Sequence, residues 1–159
     1  KDDIRAISKV VWYYYDREKH RWKSTSEGLL LRIILSEDIC KKFMERTQYW
    51  NNVQAPSNDE LLAEANKEKA KKSLKIASQL KNAGFKDSVM KECKSLFIDE
   101  KFEELLDSRS HLIGFINGVY DLKMHIFRDG MPDDYISHSS KINYIPYNPN
   151  APEVAEIND

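Results

Sequence analysis

At 159 residues the chain is long enough to bury one domain-sized core of its own. Hydrophobic residues at 41% and charged residues at 32% describe an ordinary globular composition, and 25 Lys plus Arg against 26 Asp plus Glu leave a net charge of −1. That balance excludes a globally basic nucleic-acid binder, so any such contact has to be local; no apolar run is long enough for a membrane-spanning helix, and Cys40 and Cys93 have no metal-ligand spacing and read as reduced thiols.

Residues 1–10 read as a short helix with Ile4, Ile7 and Val11 on one face. Val10–Tyr15 is β-branched and aromatic, which predicts a strand. The charged turn Asp16–Lys19 leads to a second strand, His20–Lys23, in a hairpin that brings Trp12 and Trp22 near each other. Both tryptophans suit a core; alternatively Trp22 stacks a base on a basic hairpin carrying Arg17, Lys19, Arg21 and Lys23. Ser24 and Glu27 have capping-box spacing before an apolar helix, Gly28–Leu35. Ser36-Glu37-Asp38 reads as another cap, opening a helix with Ile39, Phe43, Thr47, Trp50 and Val53 along one side. Pro56 ends it, and Ser57–Glu60 starts the next with an acidic first turn.

The helix over 58–82 has two faces at about 100° per residue. Ala70, Ser73, Leu74, Ala77 and Leu80 form one, and Lys67, Lys71 and Lys75 line up on the other at i, i+4, i+8. Between Lys67 and Lys94 there are nine lysines against Glu68, Asp87 and Glu92, the one strongly basic stretch of the chain. Such a run is either a solvated helix face or a ridge that tracks phosphates by displacing counterions. Gly84 reads as the break, Phe85–Phe97 as the next helix and Asp99–Asp107 as the last, with Phe102, Leu105 and Leu106 inward.

His111–Tyr144 reads as a β-meander. Leu112–Ile116 alternates, Asn117-Gly118 tolerates the positive φ of a type I′ turn, and Val119–Leu122 returns. His125–Arg128 is a third strand, closed by Asp129-Gly130. Asp134–Ser137 and Ile142–Ile145 are two further extended runs, and Tyr144–Pro152 is a Pro- and Asn-rich linker.

The string Leu112-Ile113-Gly114-Phe115, Asn117-Gly118-Val119-Tyr120-Asp121-Leu122, Phe127-Arg128, Gly130, Pro132, Asp134-Tyr135-Ile136-Ser137 and Asn143-Tyr144 resembles one particular module. It is similar to the domain N-terminal to the superfamily 3 helicase motor in primase-helicases of poxviruses, other large DNA viruses and phages. Tyr13–Trp22 and the Phe102–Ser108 lead-in also resemble that module. The missing initiator Met and the helix-like run Glu153–Asp159 point to a segment of a longer protein. On this reading residues 1–145 are the helicase-preceding domain, and 146–159 are a linker and the start of the helicase domain.

No catalytic motif is present. There is no Gly-Lys-Ser/Thr, so the phosphate-cradling loop of an ATPase is missing. No Gly-x-Ser-x-Gly elbow occurs. Asp133 and Asp134 would point to opposite faces of a strand, and His20, His111, His125 and His138 have no metal-ligand spacing. The resemblance falls on Asn117, Gly118, Asp121 and Arg128, whose expected roles are structural. Asn117-Gly118 sets the turn, and Asp121 either binds turn amides or pairs with Arg128 across the hairpin.

The sequence therefore predicts an α+β fold: a helix-rich middle with an N-terminal β-hairpin and a C-terminal antiparallel β-meander, and it leaves open whether the two β pieces join in one sheet with helices packed on one side. The resemblance implies an accessory domain of a viral DNA-replication primase-helicase that couples primase to an ATP-driven hexameric helicase and guides single-stranded or forked DNA. It implies ATP and Mg in the parent helicase domain and none here. Implied partners are the protein's own helicase and primase domains and its homo-hexamer, without a membrane. The implied location is host cytoplasm or the viral replication site, not secreted. Candidate DNA contacts, chosen from composition, are Lys67, Lys71, Lys75, Arg21 and Trp22. The alternative is a protein-only structural collar or oligomerisation adaptor.

Overall fold

A computed structural model describes residues 3–8, 10–54, 56 and 59–150. The chain divides into two compact units. One holds Asp3–Tyr14 and Ser24–Glu100, and the other holds Tyr15–Lys23 and the residues from Lys101 onward. The fold is α+β, with a three-stranded sheet, a helical middle and a second three-stranded sheet. The strands form two sheets, which answers the question of a single joined sheet that the sequence left open.

In the first unit, β1 (Ile4–Ala6) pairs antiparallel with β2 (Val11–Asp16), with Ala6 opposite Trp12 and Ile4 opposite Tyr14. The expected helix at the N-terminus is thus a strand. A helix of under ten residues is marginal alone, whereas Ala6 is paired on both sides: its carbonyl also accepts from Asp99 N at 2.9 Å, beside a parallel bridge to Ile98. Arg5 lies 3.6 Å from Asp99 on the same edge. Strand β3 (Arg21–Ser26) completes the sheet and contains Ser24, so Ser24 and Glu27 form no capping box. Instead Gly28, in the left-handed region, precedes α1 (Leu29–Ile34).

Ser36-Glu37-Asp38 does not cap a new helix either. Leu35–Ile39 is a π turn inside a helical run that continues as α2 (Cys40–Asn52). The buried positions explain it. Leu31 and Leu35 are four apart, but the next buried residue is Cys40, five further on. A π turn absorbs that extra residue and keeps the stripe on the core. Two lysines satisfy the widened turn: Lys81 donates to the Ser36 carbonyl and Lys86 to the Ser36 hydroxyl, each at 2.8 Å.

Asp59 caps α3 (Glu60–Gln79) by accepting from Leu62 N at 2.9 Å. Ser57, where that helix start was expected to open, lies outside the described residues. Ala70, Ser73, Ala77 and Leu80 are buried as the periodicity predicts, but Asn66 joins them and Leu74 is exposed. Helix α4 (Ala83–Phe97) begins at Asn82, whose side chain accepts from Phe85 N, so Gly84 sits within its first turn. The core of this unit gathers Ala6, Trp12, Leu31, Leu35, Cys40, Ala77, Leu80 and Met90. Cys40 and Cys93 are free thiols.

In the second unit, α5 (Phe102–Leu105) is shorter than expected, with Phe102 fully buried and Leu105 exposed. Trp22 packs edge-on to Phe102 at 4.7 Å and to Tyr15 at 5.6 Å. Trp12 instead meets Phe97 in the first unit, so the two tryptophans serve different cores. The meander is β4 (Leu112–Phe115), β5 (Gly118–Asp121) and β6 (Ile126–Arg128), antiparallel in that order. Phe115 faces Gly118, which makes Ile116-Asn117 the two-residue turn rather than Asn117-Gly118. Neither turn residue has positive φ, so the turn is not type I′. Gly118 is required for another reason. A Cβ there would lie 2.6 Å from Phe127 Cζ and 2.7 Å from the Arg128 carbonyl, at a φ of 155°.

The two extended runs after β6 form no strands. Pro132–Asp134 is a 3-10 turn, and 135–140 and 143–148 have no regular structure. The 138–144 stretch nonetheless follows β4, with Ser140 N donating to Gly114 O and Ile116 N to Ile142 O. Residues 151–152 of the expected linker and its following helix lie outside the described residues.

We expect Gly118→Ala to lower the unfolding free energy by roughly 2 kcal/mol, the usual cost of overpacking. A urea titration reads this as a lower midpoint at unchanged slope.

Candidate nucleic-acid interface

Five lysines of α3 (Lys67, Lys69, Lys71, Lys72 and Lys75) are exposed, because Asn66, Ala70, Ser73 and Ala77 take the inward side. The acidic residues one turn earlier engage two of them. Lys67 lies 3.6 Å from Glu64, and Lys71 lies 2.8 Å from Glu68. Such exposed i, i+3 pairs are weak and yield readily to a competing phosphate. Lys69 sits 4.2 Å above the Trp50 ring. Lys72 and Lys75 form no salt bridge among the described residues. The predicted ridge is therefore a solvent-facing cationic row, part of it unneutralised.

Arg21 and Trp22 do not join that ridge. Trp22 is only 1% exposed and its Nε1 donates to Pro132 O at 2.8 Å, so it cannot stack a base. Its burial is the core alternative of the hairpin reading. Arg21 is half-buried and donates to Ser139 Oγ at 2.9 Å.

The residues carrying the family resemblance hold the loop after β6. Asp121 accepts from Lys123 N at 2.9 Å and Met124 N at 3.1 Å, closing the β5–β6 turn. Of the two roles the sequence left open, binding the turn amides is the one found, and no hydrogen bond or salt bridge joins Asp121 to Arg128. Arg128 reaches Asp134 instead, through two parallel bonds of 2.7 Å. Asp134 Oδ2 also accepts from Met131 N at 2.8 Å. Burial alone would push the Asp134 carboxyl up, but Arg128 and the Met131 amide outweigh it and hold its pKa below the ordinary carboxylate value. Asn117 grips the chain further on: its amide oxygen accepts from Tyr144 N at 2.8 Å and its Nδ2 donates to Tyr144 O at 3.1 Å. Tyr144 then stacks on Phe127 at 4.4 Å.

Asp107 is the functional-looking residue that motif reading passed over. It accepts from Ser137 N at 2.8 Å, from Ser137 Oγ, and from His138 N and Nδ1 at 3.3 and 2.8 Å. These bonds hold its carboxyl low despite the opposing effect of burial. Ser, His and Asp are the residue types of a hydrolytic triad, but the arrangement is not one. The same nitrogen, His138 Nδ1, faces both the carboxylate and Ser137 Oγ (2.9 Å), whereas a triad needs Nε2 on the serine. Asp107 is a clamp on the backbone of 137–138. Its only signal in the sequence was the Leu-Asp-Ser lead-in to β4, and bonds spanning thirty residues leave no local pattern.

Two cavities accompany these features. One, of about 550 Å³ in the first unit, is bordered by Trp12, Glu27, Arg32, Asp87, Lys91 and Lys94, with Arg32 bridged to Asp87. The other, of about 420 Å³ in the second unit, lies between 107–114 and 134–140. No cluster of His, Cys, Asp or Glu able to hold a metal occurs among the described residues, and no helix among them is long and apolar enough to cross a membrane.

The family model described as "D5 N terminal like" matches residues 1–158. The chain belongs to this family. It is 37% identical over 143 residues to the "Putative helicase L207/L206" of Acanthamoeba polyphaga mimivirus, covering 88% of this chain and 14% of that protein. Over 66 residues it is 35% identical to the "Putative helicase 022R" of Frog virus 3, covering 42% of this chain and 7% of that protein. A "Putative primase C962R" of African swine fever virus aligns over 166 residues at 23% identity, covering 94% of this chain and 17% of that protein. The D5 N terminal-like chain thus spans about one-seventh of the length of its mimivirus relative.

Because Asp134 and Asp107 have lowered folded pKa values, their ionic bonds stabilise fully above the unfolded carboxylate value near 4 and are lost as pH falls through the folded values. We expect stability to be flat above about pH 5 and to fall steeply below about pH 4. Asp134→Asn should be less stable at neutral pH and lose less on acidification. Chemical denaturation across the pH range checks both.

Proposed function

We propose that this D5 N terminal-like domain serves a viral DNA-replication primase-helicase as an accessory piece, coupling primase to an ATP-driven hexameric motor and guiding DNA. Family membership and the helicase and primase names of its relatives support the replication setting. ATP and Mg belong, on this reading, to the motor, and the setting is the host cytoplasm or the viral replication site.

The observation that carries the DNA-guiding part is the α3 row. Lys67, Lys71, Lys72 and Lys75 present exposed ammonium groups along one helix, spaced so that a flexible strand can bring successive phosphates to them. A protein-only adaptor has an observation in its favour as well, since Leu61 and Leu74 are exposed on the same helix.

We expect a labelled single-stranded oligonucleotide to bind the domain at low salt and to dissociate as salt rises. Changing Lys67, Lys71 and Lys75 together to Glu should abolish most binding. It should also reduce the slope of log affinity against log salt by about 2, at roughly 0.7 for each phosphate that is no longer neutralised. Fluorescence anisotropy measures both. No binding at low salt would reject DNA guiding and leave the adaptor reading in its place.

A further inference from the structure

We propose that the 420 Å³ cavity of the second unit is a phosphate-binding site, taking the phosphate of a nucleotide or of a DNA strand. Its size is that of a small-ligand pocket. Arg109, Ser110, Ser139 and Ser140 line it, together with the backbone of Gly114. These supply a guanidinium and the hydroxyls of Ser110 and Ser139, the donor types that phosphate oxygens require, while the Ser140 hydroxyl donates to Ile142 O at 3.5 Å.

Two carboxylates in the same wall argue against an anion until their bonds are counted. Asp134 is neutralised by the two-pronged bond from Arg128 and is also held by Met131 N. Asp107 accepts four bonds from Ser137 and His138. Asp134 is thus charge-paired, whereas Asp107 keeps its negative charge with its oxygens engaged by those four bonds. Arg109 differs: its guanidinium lies 5.5 Å over the Tyr135 ring and forms no salt bridge among the described residues. Arg21, not itself a lining residue, donates to Ser139 Oγ at 2.9 Å. That bond occupies an oxygen lone pair and leaves the Ser139 hydroxyl hydrogen free to point at a ligand. Arg109 is therefore the lining cation that no carboxylate bonds directly.

The walls are already assembled without a ligand, and a preformed site lowers the cost of binding. Gly114 lets the 138–140 segment approach, since a Cβ there would lie 2.5 Å from the His138 carbonyl. Ser140 N in turn donates to Gly114 O at 2.9 Å. Amide shifts at Gly114, Ser139 and Ser140 read this site separately from any binding at the α3 lysines.

The test is a titration of the whole chain, followed by amide shifts in heteronuclear NMR. The ligands are inorganic phosphate, a deoxynucleoside monophosphate, and short single strands with and without a 5′-phosphate. We expect saturable shifts at Gly114, Ser139 and Ser140 with inorganic phosphate. Arg109→Ala should weaken binding at least tenfold, and Arg109→Lys should restore part of it. Tighter binding of the mononucleotide would identify a free nucleotide as the source, and tighter binding of the phosphorylated strand would identify DNA. If Arg109→Ala disturbs folding because its guanidinium no longer covers Tyr135, the double change Ser139→Ala, Ser140→Ala takes its place. Absence of saturable shifts at these amides, or equal affinity in a folded variant, would overturn the proposal.

Discussion

The bidentate bond between Arg128 and Asp134 is the constraint on which the second unit depends. Among the described residues no further strand follows β6 to continue the ladder, yet the polar backbone there runs through a partly buried region where unpaired groups are costly. Side chains supply the missing acceptors. Asp134, oriented by Arg128, takes Met131 N; Asp107 takes the amides of Ser137 and His138; Asn117 pairs with both polar groups of the Tyr144 backbone. Between these ties Ile136 is buried, its carbonyl accepts from Trp22 N, and Tyr144 stacks on Phe127. An irregular segment thereby becomes as determined as a strand.

The same arrangement explains what the sequence revealed and what it concealed. The long helices and the hairpin of β2 and β3 were legible because their signals are local: Ala70, Ser73 and Ala77 repeat at helical spacing, and Val11–Tyr15 is dense in strand formers. β1 was misread because its three residues gain their structure from partners at Trp12 and Ile98 rather than from their own propensity. The π turn was invisible because a five-residue step between buried positions resembles a helix break. At Asn117-Gly118 the turn signal was present but sat one residue late. The asparagine is used for its side-chain grip on Tyr144, and the glycine for clearance beneath Phe127.

The candidate sites divide along the same line. The α3 lysines were found by periodicity and lie where periodicity puts them. Trp22 was chosen for its aromatic ring and its basic neighbours, but composition could not tell an inward face from an outward one, and the ring closes a core with Phe102. The cavity beside Arg109 could not be found from sequence at all. Its walls come from segments some 25 residues apart in the chain, joined by the carboxylate clamps, and Arg109 enters it only once those segments are brought together.

Native-state amide hydrogen exchange tests most directly whether side-chain clamps fix this irregular segment. The account predicts slow exchange at Met131, Ser137 and Tyr144, approaching that of the β4–β5 ladder. In Arg128→Ala, exchange should accelerate at Met131 first while β4 and β5 stay protected. Fast exchange of all three amides in the unaltered protein would contradict it, because the segment would then be an unanchored loop and the cavity would have no fixed wall.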